Sequence, residues 1–309
     1  MTKNVTGFYS VKQAAIVICI VAIYLLVSFF LIGFNSDQLV LSAIFCVAYF
    51  GTAISRKFII GFAIFIVYWI IFDYMKAFPN YVFNTVNIKQ LHQAELTIFG
   101  IHANDQIVTP NEFWLQHHNS FLDVLTGIFY LCWIPVPLAF AGWLFFKDKE
   151  LFLQFSLTFV LVNFIGFVIY YAYPAAPPWY FQQYGALFNA HTPGNSAGLQ
   201  RFDDFFNAGI FKSIYAKSSN VFAAMPSLHS SYPVIVLYYG LREKLGWINI
   251  LFAIVMVGIW FAAVYTSHHY LLDVLAGIAC AIAGIVIFQK IILRSRPVQN
   301  FVRYYLSKI

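Results

Sequence analysis

The stretch Tyr265-Thr266-Ser267-His268-His269-Tyr270-Leu271-Leu272-Asp273 sets a histidine and an aspartate four residues apart. On a helix of 3.6 residues per turn such a pair shares one face. A carboxylate there hydrogen-bonds one imidazole nitrogen, fixes the tautomer and leaves the other nitrogen as a nucleophile, which is what attack on phosphorus requires. The plainer alternative is that Asp273 caps the helix locally and His269 anchors at an interface. A second stretch, Ala224-Met225-Pro226-Ser227-Leu228-His229-Ser230-Ser231, puts His229 at the start of another apolar run. Pro226 suits a first helical turn, and Ser227 can present its hydroxyl to an anion there. Alone, this motif also fits an interfacial histidine with a serine cap.

These residues need elements to hold them, and the composition says which. Of 309 residues 61% are hydrophobic, 20% aromatic and 10% charged, with a mean hydropathy of +0.75. That is too little polar surface for a water-soluble globule. The apolar runs do not alternate, which excludes a β-barrel. At about 20 residues per span, helices are predicted near 14–33, 38–54, 58–74, 121–146, 151–173, 225–241, 247–266 and 269–292. The second, third and sixth are short. The first run is too long for a signal-peptide core and is expected to stay as an anchor.

Lys and Arg are enriched in cytoplasmic connections. With the N-terminus inside, thirteen of the 18 basic residues fall in inner segments, and only Lys76, Lys89, Arg201, Lys212 and Lys217 fall outside. The net charge of +6 therefore reads as orientation and not as a nucleic-acid surface. Both termini are then cytoplasmic, and the segments 75–120 and 174–224 lie on the other side together with His229 and His269. In the first, Leu91, Leu96 and Phe99 suggest an interfacial helix. The second, with Pro174, Pro177, Pro178, Pro193 and Gly194, reads as a turn-rich cap. Cys19, Cys46, Cys132 and Cys280 sit in apolar segments as small buried hydrophobes. A single all-α integral membrane domain is expected: N-terminal transmembrane helices over 1–74, an extracytoplasmic or interfacial segment over 75–120, the region bearing the motifs over 121–293 and a basic cytoplasmic tail over 294–309. A phosphate site needs fixed cations. Arg201 is the best placed of the outer ones, because a guanidinium grips phosphoryl oxygens bidentately. Lys212 and Lys217 are further candidates, with solvated loop charges as their alternative.

Pro226-Ser227-Leu228-His229 followed by His269 and Asp273 resembles the last two signature motifs of the type 2 phosphatidic acid phosphatase superfamily, P-S-G-H and S-R-x5-H-x3-D. Ala176-Pro177-Pro178-Trp179-Tyr180, Ala197-Gly198-Leu199-Gln200-Arg201-Phe202-Asp203 and Ala224-Met225-Pro226-Ser227-Leu228-His229-Ser230 resemble its inositol phosphorylceramide synthase branch. The resemblance covers about residues 110–290. The superfamily's first motif, K-x6-R-P, is absent: Lys290 to Arg296-Pro297 is one residue short and falls on the cytoplasmic side. Ala263 stands where the third motif has Arg, and Leu228 where the second has Gly. The synthase branch shares these departures, which leaves more of the phosphate-binding duty to Arg201.

The resemblance implies a six-helix catalytic core and a metal-free transfer without cofactor. His269 would be the nucleophile, Asp273 its orienting group and His229 the acid and base, with Arg201, Ser227, Lys212, Lys217, Trp179 and Tyr180 around the substrate. The implied partners are membrane lipids: phosphatidylinositol as donor, a ceramide-like alcohol as acceptor and diacylglycerol as product, through a phosphohistidine. Compact build and short termini point to a bacterial inner membrane with a periplasmic site. Three alternatives stay open. Water can take the second step, giving a phosphatase acting on a phosphorylated inositol lipid, phosphatidate or a polyprenyl pyrophosphate. A transporter is a second reading, although it usually places charge at mid-membrane and no predicted helix centre carries one. A metal held by His92, His102, His117, His118 or His268 is the third; His117 and His118 with Ser120 and Asp123 also read as interfacial residues and a capping box before the fourth helix.

Overall fold

The computed structural model describes residues 11–103, 105–217 and 220–309. Its elements are α1 Val11–Ile32, α2 Ser36–Gly51, α3 Ala53–Tyr74, α4 Lys89–Phe99, a hairpin of β1 Ile101–Ala103 and β2 Gln106–Val108, α5 Pro110–Gln116, α6 Ser120–Leu131, α7 Pro135–Lys147, α8 Lys149–Ala172, α9 Pro178–Tyr184, α10 Gln200–Phe206, α11 Ile210–Ala216, α12 Leu228–Arg242, α13 Ile248–Tyr265, α14 Leu271–Ile287 and α15 Arg296–Leu306. The two strands are antiparallel, with Ile101 opposite Val108 and Ala103 opposite Gln106. All eight predicted apolar runs are helical, the fourth as two helices, α6 and α7. Six segments are long and apolar enough to cross a membrane among the described residues: Val11–Ile32, Ala53–Ala77, Ser120–Lys147, Lys149–Ala172, Ile248–Tyr265 and Leu271–Ile292. The other two, α2 and α12, have 16 and 15 residues, in keeping with their short apolar runs. The chain is an all-α integral membrane protein.

Local chemistry sets the boundaries. Asn35, Thr52, Thr109, Asn119 and Asp148 cap α2, α3, α5, α6 and α8, each side chain accepting a first-turn N–H. The fourth predicted helix is broken at Cys132–Ile134, because Pro135 and Pro137 bring no N–H to the ladder and α7 restarts at Pro135. The cap is also more helical than its prolines suggest, since α9, α10 and α11 lie within it.

The described residues form two compact units, one of those up to 78 with 300–309 and one of those from 79 to 299. In the second, α12 packs on α7, α8, α13 and α14. Several buried polar side chains there find partners within the bundle: Tyr232 donates to Asn163 Oδ1 at 2.7 Å, and buried Gln154 accepts from the exposed Arg242 at 2.8 Å. A side chain at Gly277 would collide with the Ser227 backbone, so glycine lets α14 close on the start of α12. Ser227 N–H donates to the Asp273 carbonyl at 2.9 Å, and Ser231 Oγ to the Gly277 carbonyl at 2.7 Å. That contact brings together the helix starts that carry His229 and Asp273.

Candidate active site

His269 lies between α13 and α14, in a turn whose Ser267 has φ +59°. The turn is buried and tied down from several directions. Asn111 on α5 donates to the carbonyls of Val264 at 2.8 Å and His269 at 2.9 Å. Trp179 N–H donates to the Ser267 carbonyl at 3.0 Å, and Gln182 to Ser267 Oγ at 3.1 Å. The His269 and His229 rings meet, with His269 Nε2 3.1 Å from His229 Nδ1. On its other side His269 Nδ1–H donates to the Ala224 carbonyl at 3.0 Å, and Asp273 Oδ2 stands 3.6 Å away. At 3.6 Å the carboxylate is beyond a good hydrogen bond to the ring and faces it as a charge.

These bonds assign the tautomers. With its proton on Nδ1, His269 presents an Nε2 lone pair, so His229 Nδ1 is the donor across the 3.1 Å gap. Asp273 is fully buried and accepts Tyr270 N–H at 2.8 Å through Oδ2, while its Oδ1 has no hydrogen-bond partner. His229 is half-buried and walled by aromatic rings, Trp133 at 4.3 Å and Tyr130 at 5.3 Å between centroids.

The arrangement makes a prediction about Asp273. In sites where only the aspartate fixes the tautomer, Asp→Asn costs about 10⁴-fold. Here the Ala224 carbonyl keeps Nδ1 protonated. Asp273→Asn is therefore expected to lower turnover by about 10²-fold, through lost stabilisation of the cationic ring alone. Initial rates of the purified variant check it; a 10⁴-fold loss would show that the backbone carbonyl does not hold the tautomer.

Arg201 stands at the start of α10. Its Nε–H donates to Asp123 Oδ1 at 2.6 Å, its guanidinium carbon lies 5.2 Å from the Tyr265 ring centroid, and its Nη2 is buried with no hydrogen-bond partner. Tyr265 O–H also donates to Asp123 Oδ1, at 2.8 Å. The loop before Arg201 lies on the His269 turn: Gly198 N–H donates to the Thr266 carbonyl at 2.9 Å, and the close approach leaves no room for a side chain at Gly198. Asp123 was missed as a partner of Arg201 by the sequence reading, which gave it to a capping box. Asn119 makes that cap instead.

The other expected residues are spread more widely. Ser227 is buried and its Oγ accepts from Ser230 Oγ at 3.0 Å. Trp179 and Tyr180 are buried in a cluster with Val86, Ile88, Ala176 and Phe222. Tyr180 O–H donates to the Leu187 carbonyl and accepts Asn189 N–H, both at 2.8 Å. Lys212 and Lys217 are exposed on α11 and just after it.

Of the histidines offered for a metal, His268 is buried, stacked on Tyr215 at 4.3 Å, and donates from Nε2 to the Ser196 carbonyl at 2.9 Å. Burial and the neighbouring His269 push it down to about 3, so it is a neutral strut. His92 pairs with Glu112 at 2.9 Å, His117 stacks on Phe113, His118 lies 3.5 Å from Asp123, and His102 is exposed. Among the described residues no three His, Cys, Asp or Glu side chains gather as a metal cluster.

A helical membrane bundle whose helix ends bring two imidazoles and a carboxylate together defines a class, the membrane-embedded enzymes of lipid phosphate chemistry. The chain belongs to the PAP2 superfamily, whose model matches residues 102–287. It is 44% identical over 299 residues to the phosphoinositol dihydroceramide synthase of Bacteroides thetaiotaomicron, across 96% of this chain and 98% of that one. It is 29% identical over 225 residues to the inositol phosphorylceramide synthase catalytic subunit of Saccharomyces cerevisiae, across 69% of this chain and 51% of that one. The Candida albicans inositol phosphorylceramide synthase is 27% identical over 220 residues, 66% of this chain and 42% of that one. The chain thus spans about half or less of these fungal relatives. No solved structure matches it significantly.

Proposed function

We propose that the protein moves inositol phosphate from phosphatidylinositol to the hydroxyl of a ceramide-type lipid. His269 Nε2 attacks the phosphodiester phosphorus, the bond to the diacylglycerol oxygen breaks, and His229, an imidazolium beside the bound phosphodiester anion, protonates that oxygen from Nδ1 as it leaves and is left as the neutral ring. The headgroup is then held on His269 as a phosphohistidine. In the second step His229 Nδ1 takes the proton of the lipid alcohol, whose oxygen attacks the phosphorus and displaces His269. Inositol phosphorylceramide and diacylglycerol are the products, and both rings return to their starting protonation states. Arg201, aimed by Asp123, offers its unpartnered Nη2 to the phosphoryl oxygens. Ser227, Lys212, Lys217, Trp179 and Tyr180 complete the substrate surroundings in this reading. The site faces the periplasm of a bacterial inner membrane, with both termini cytoplasmic.

The observation that carries this reading is the 3.1 Å approach of His229 Nδ1 to His269 Nε2, which loads the acid beside the nucleophile. The 44% identity to a phosphoinositol dihydroceramide synthase over nearly the whole chain supports the substrate class. The test is the product. Purified protein given headgroup-labelled phosphatidylinositol is expected to form a labelled sphingolipid only when ceramide or dihydroceramide is supplied. Soluble inositol phosphate released at the same rate without an acceptor would make the protein a hydrolase.

A further inference from the structure

The segment before the catalytic region supplies a carboxylate that nothing above uses. Glu95 on α4 is completely buried. Its Oε1 accepts Leu271 N–H at 2.8 Å and its Oε2 accepts Leu272 N–H at 3.1 Å. Those are the first two residues of α14, whose opening N–H groups have no partner within the helix. A helix start is usually satisfied by a side chain next to it in sequence. Here the cap comes from 176 residues away, and a buried carboxylate is costly unless its bonds are good. The same end of the structure also holds the other side of the turn, where Asn111 takes the His269 carbonyl. The backbone is therefore gripped at His269, Leu271 and Leu272, around the residue pair that must stay aligned.

We propose that Glu95 is a positioning residue of the transfer reaction: by taking both amides it fixes the first turn of α14, and with it Asp273, relative to the His269 ring. This rests on the proposed function for the identity of the reaction. A general helix stabiliser would act only through folding, whereas this clamp acts on turnover. A misplacement of about 1 Å at a reacting centre is worth up to about 10²-fold.

The clamp has a charge state. Burial pushes Glu95 up to about 7, against its two amide bonds, which pull the other way. The titratable groups around it are His92 on α4, Glu112 on α5, which pairs with that His92, and Tyr270 and Asp273 at the start of α14. The ionised form, present above about pH 7, accepts both amides. Protonation turns one oxygen into a donor facing an N–H, so the grip loosens as pH falls.

The test uses the full-length protein in detergent or proteoliposomes, with kcat and KM for phosphatidylinositol measured from pH 5.5 to 8.5. Glu95→Gln keeps the shape but is neutral at every pH. It is expected to lower kcat about ten- to a hundredfold above pH 7, leave KM within about twofold and remove the part of the acidic limb centred near 7. An unchanged kcat and limb, or a kcat loss matched by loss of folded protein in a thermal melt, would overturn the proposal. If Glu95→Gln does not fold, Glu95→Asp decides. The charge stays but the reach shortens by one methylene, so kcat must fall with the limb retained, and a wild-type kcat overturns the idea. Should the wild type release inositol phosphate to water and make no sphingolipid, the proposed function fails. The Glu95 comparison is then made on that hydrolysis, with the same outcomes.

Discussion

His269→Ala is expected to reduce transfer by about 10⁴-fold or more, with the bundle still folded. The size follows from chemistry, because no other group of the site can take the ring's place. His229 points its protonated Nδ1 inward and has no lone pair to offer there, and His268 turns its Nε2 to Ser196. The structural cost is smaller. Truncation leaves the Ala224 carbonyl without its donor at 3.0 Å and His229 Nδ1–H without its acceptor, a penalty of roughly 1–3 kcal/mol for each group that stays dry. The surrounding backbone keeps its own bonds to Asn111 and Trp179, and the His268 ring keeps its bond to the Ser196 carbonyl. Lipid mass spectrometry of cells expressing the wild type and the variant side by side, with a thermal melt of each purified protein, separates the two effects. A folded variant that keeps more than about a tenth of the activity would remove His269 from the chemistry.

The elements of this site were legible in the sequence to different degrees, for physical reasons. His269 and Asp273 are four apart, and a four-residue spacing has meaning on any helix. His229 joined them because hydropathy and the positive-inside rule sent both apolar helix starts to one membrane face. Their approach to 3.1 Å follows from Gly277 closing on Ser227, a packing detail with no local signature. Asp123 and Arg201 are 78 residues apart and Glu95 and Leu271 are 176 apart. Such pairings are set by tertiary structure, so Asp123 looked like a cap and Glu95 like a polar residue of an interfacial helix.

The Ala224 carbonyl was also invisible, since sequence patterns name side chains and the tautomer is held by backbone. The break at Cys132–Ile134 did have a signal, in Pro135 and Pro137, but it was masked by an unbroken apolar run. The hairpin of β1 and β2 has strands of three residues, too short for a period-two pattern, and its turn residue Asp105 has φ +62°.

His229→Ala should cost about 10²- to 10⁴-fold, the span of a lost general acid and base, and its effect is expected to depend on the leaving group. In the first half-reaction His229 protonates a diacylglycerol alkoxide, a poor leaving group that gains greatly from a proton. A nitrophenyl ester of inositol phosphate leaves as a stable phenolate and needs none. With that donor His229→Ala should recover most of its rate of phosphohistidine formation, while His269→Ala recovers nothing, because no nucleophile remains. The second half-reaction gains nothing from the better leaving group, since the lipid alcohol must still lose its proton to His229. The variant is therefore expected to release a burst of nitrophenolate equal to one turnover and then stall with the inositol phosphoryl group on His269. Rapid-mixing absorbance and acid-labile, alkali-stable label on the protein measure the burst and the trapped state. If the nitrophenyl donor rescued neither step, His229 would be holding His269 in place and not moving protons.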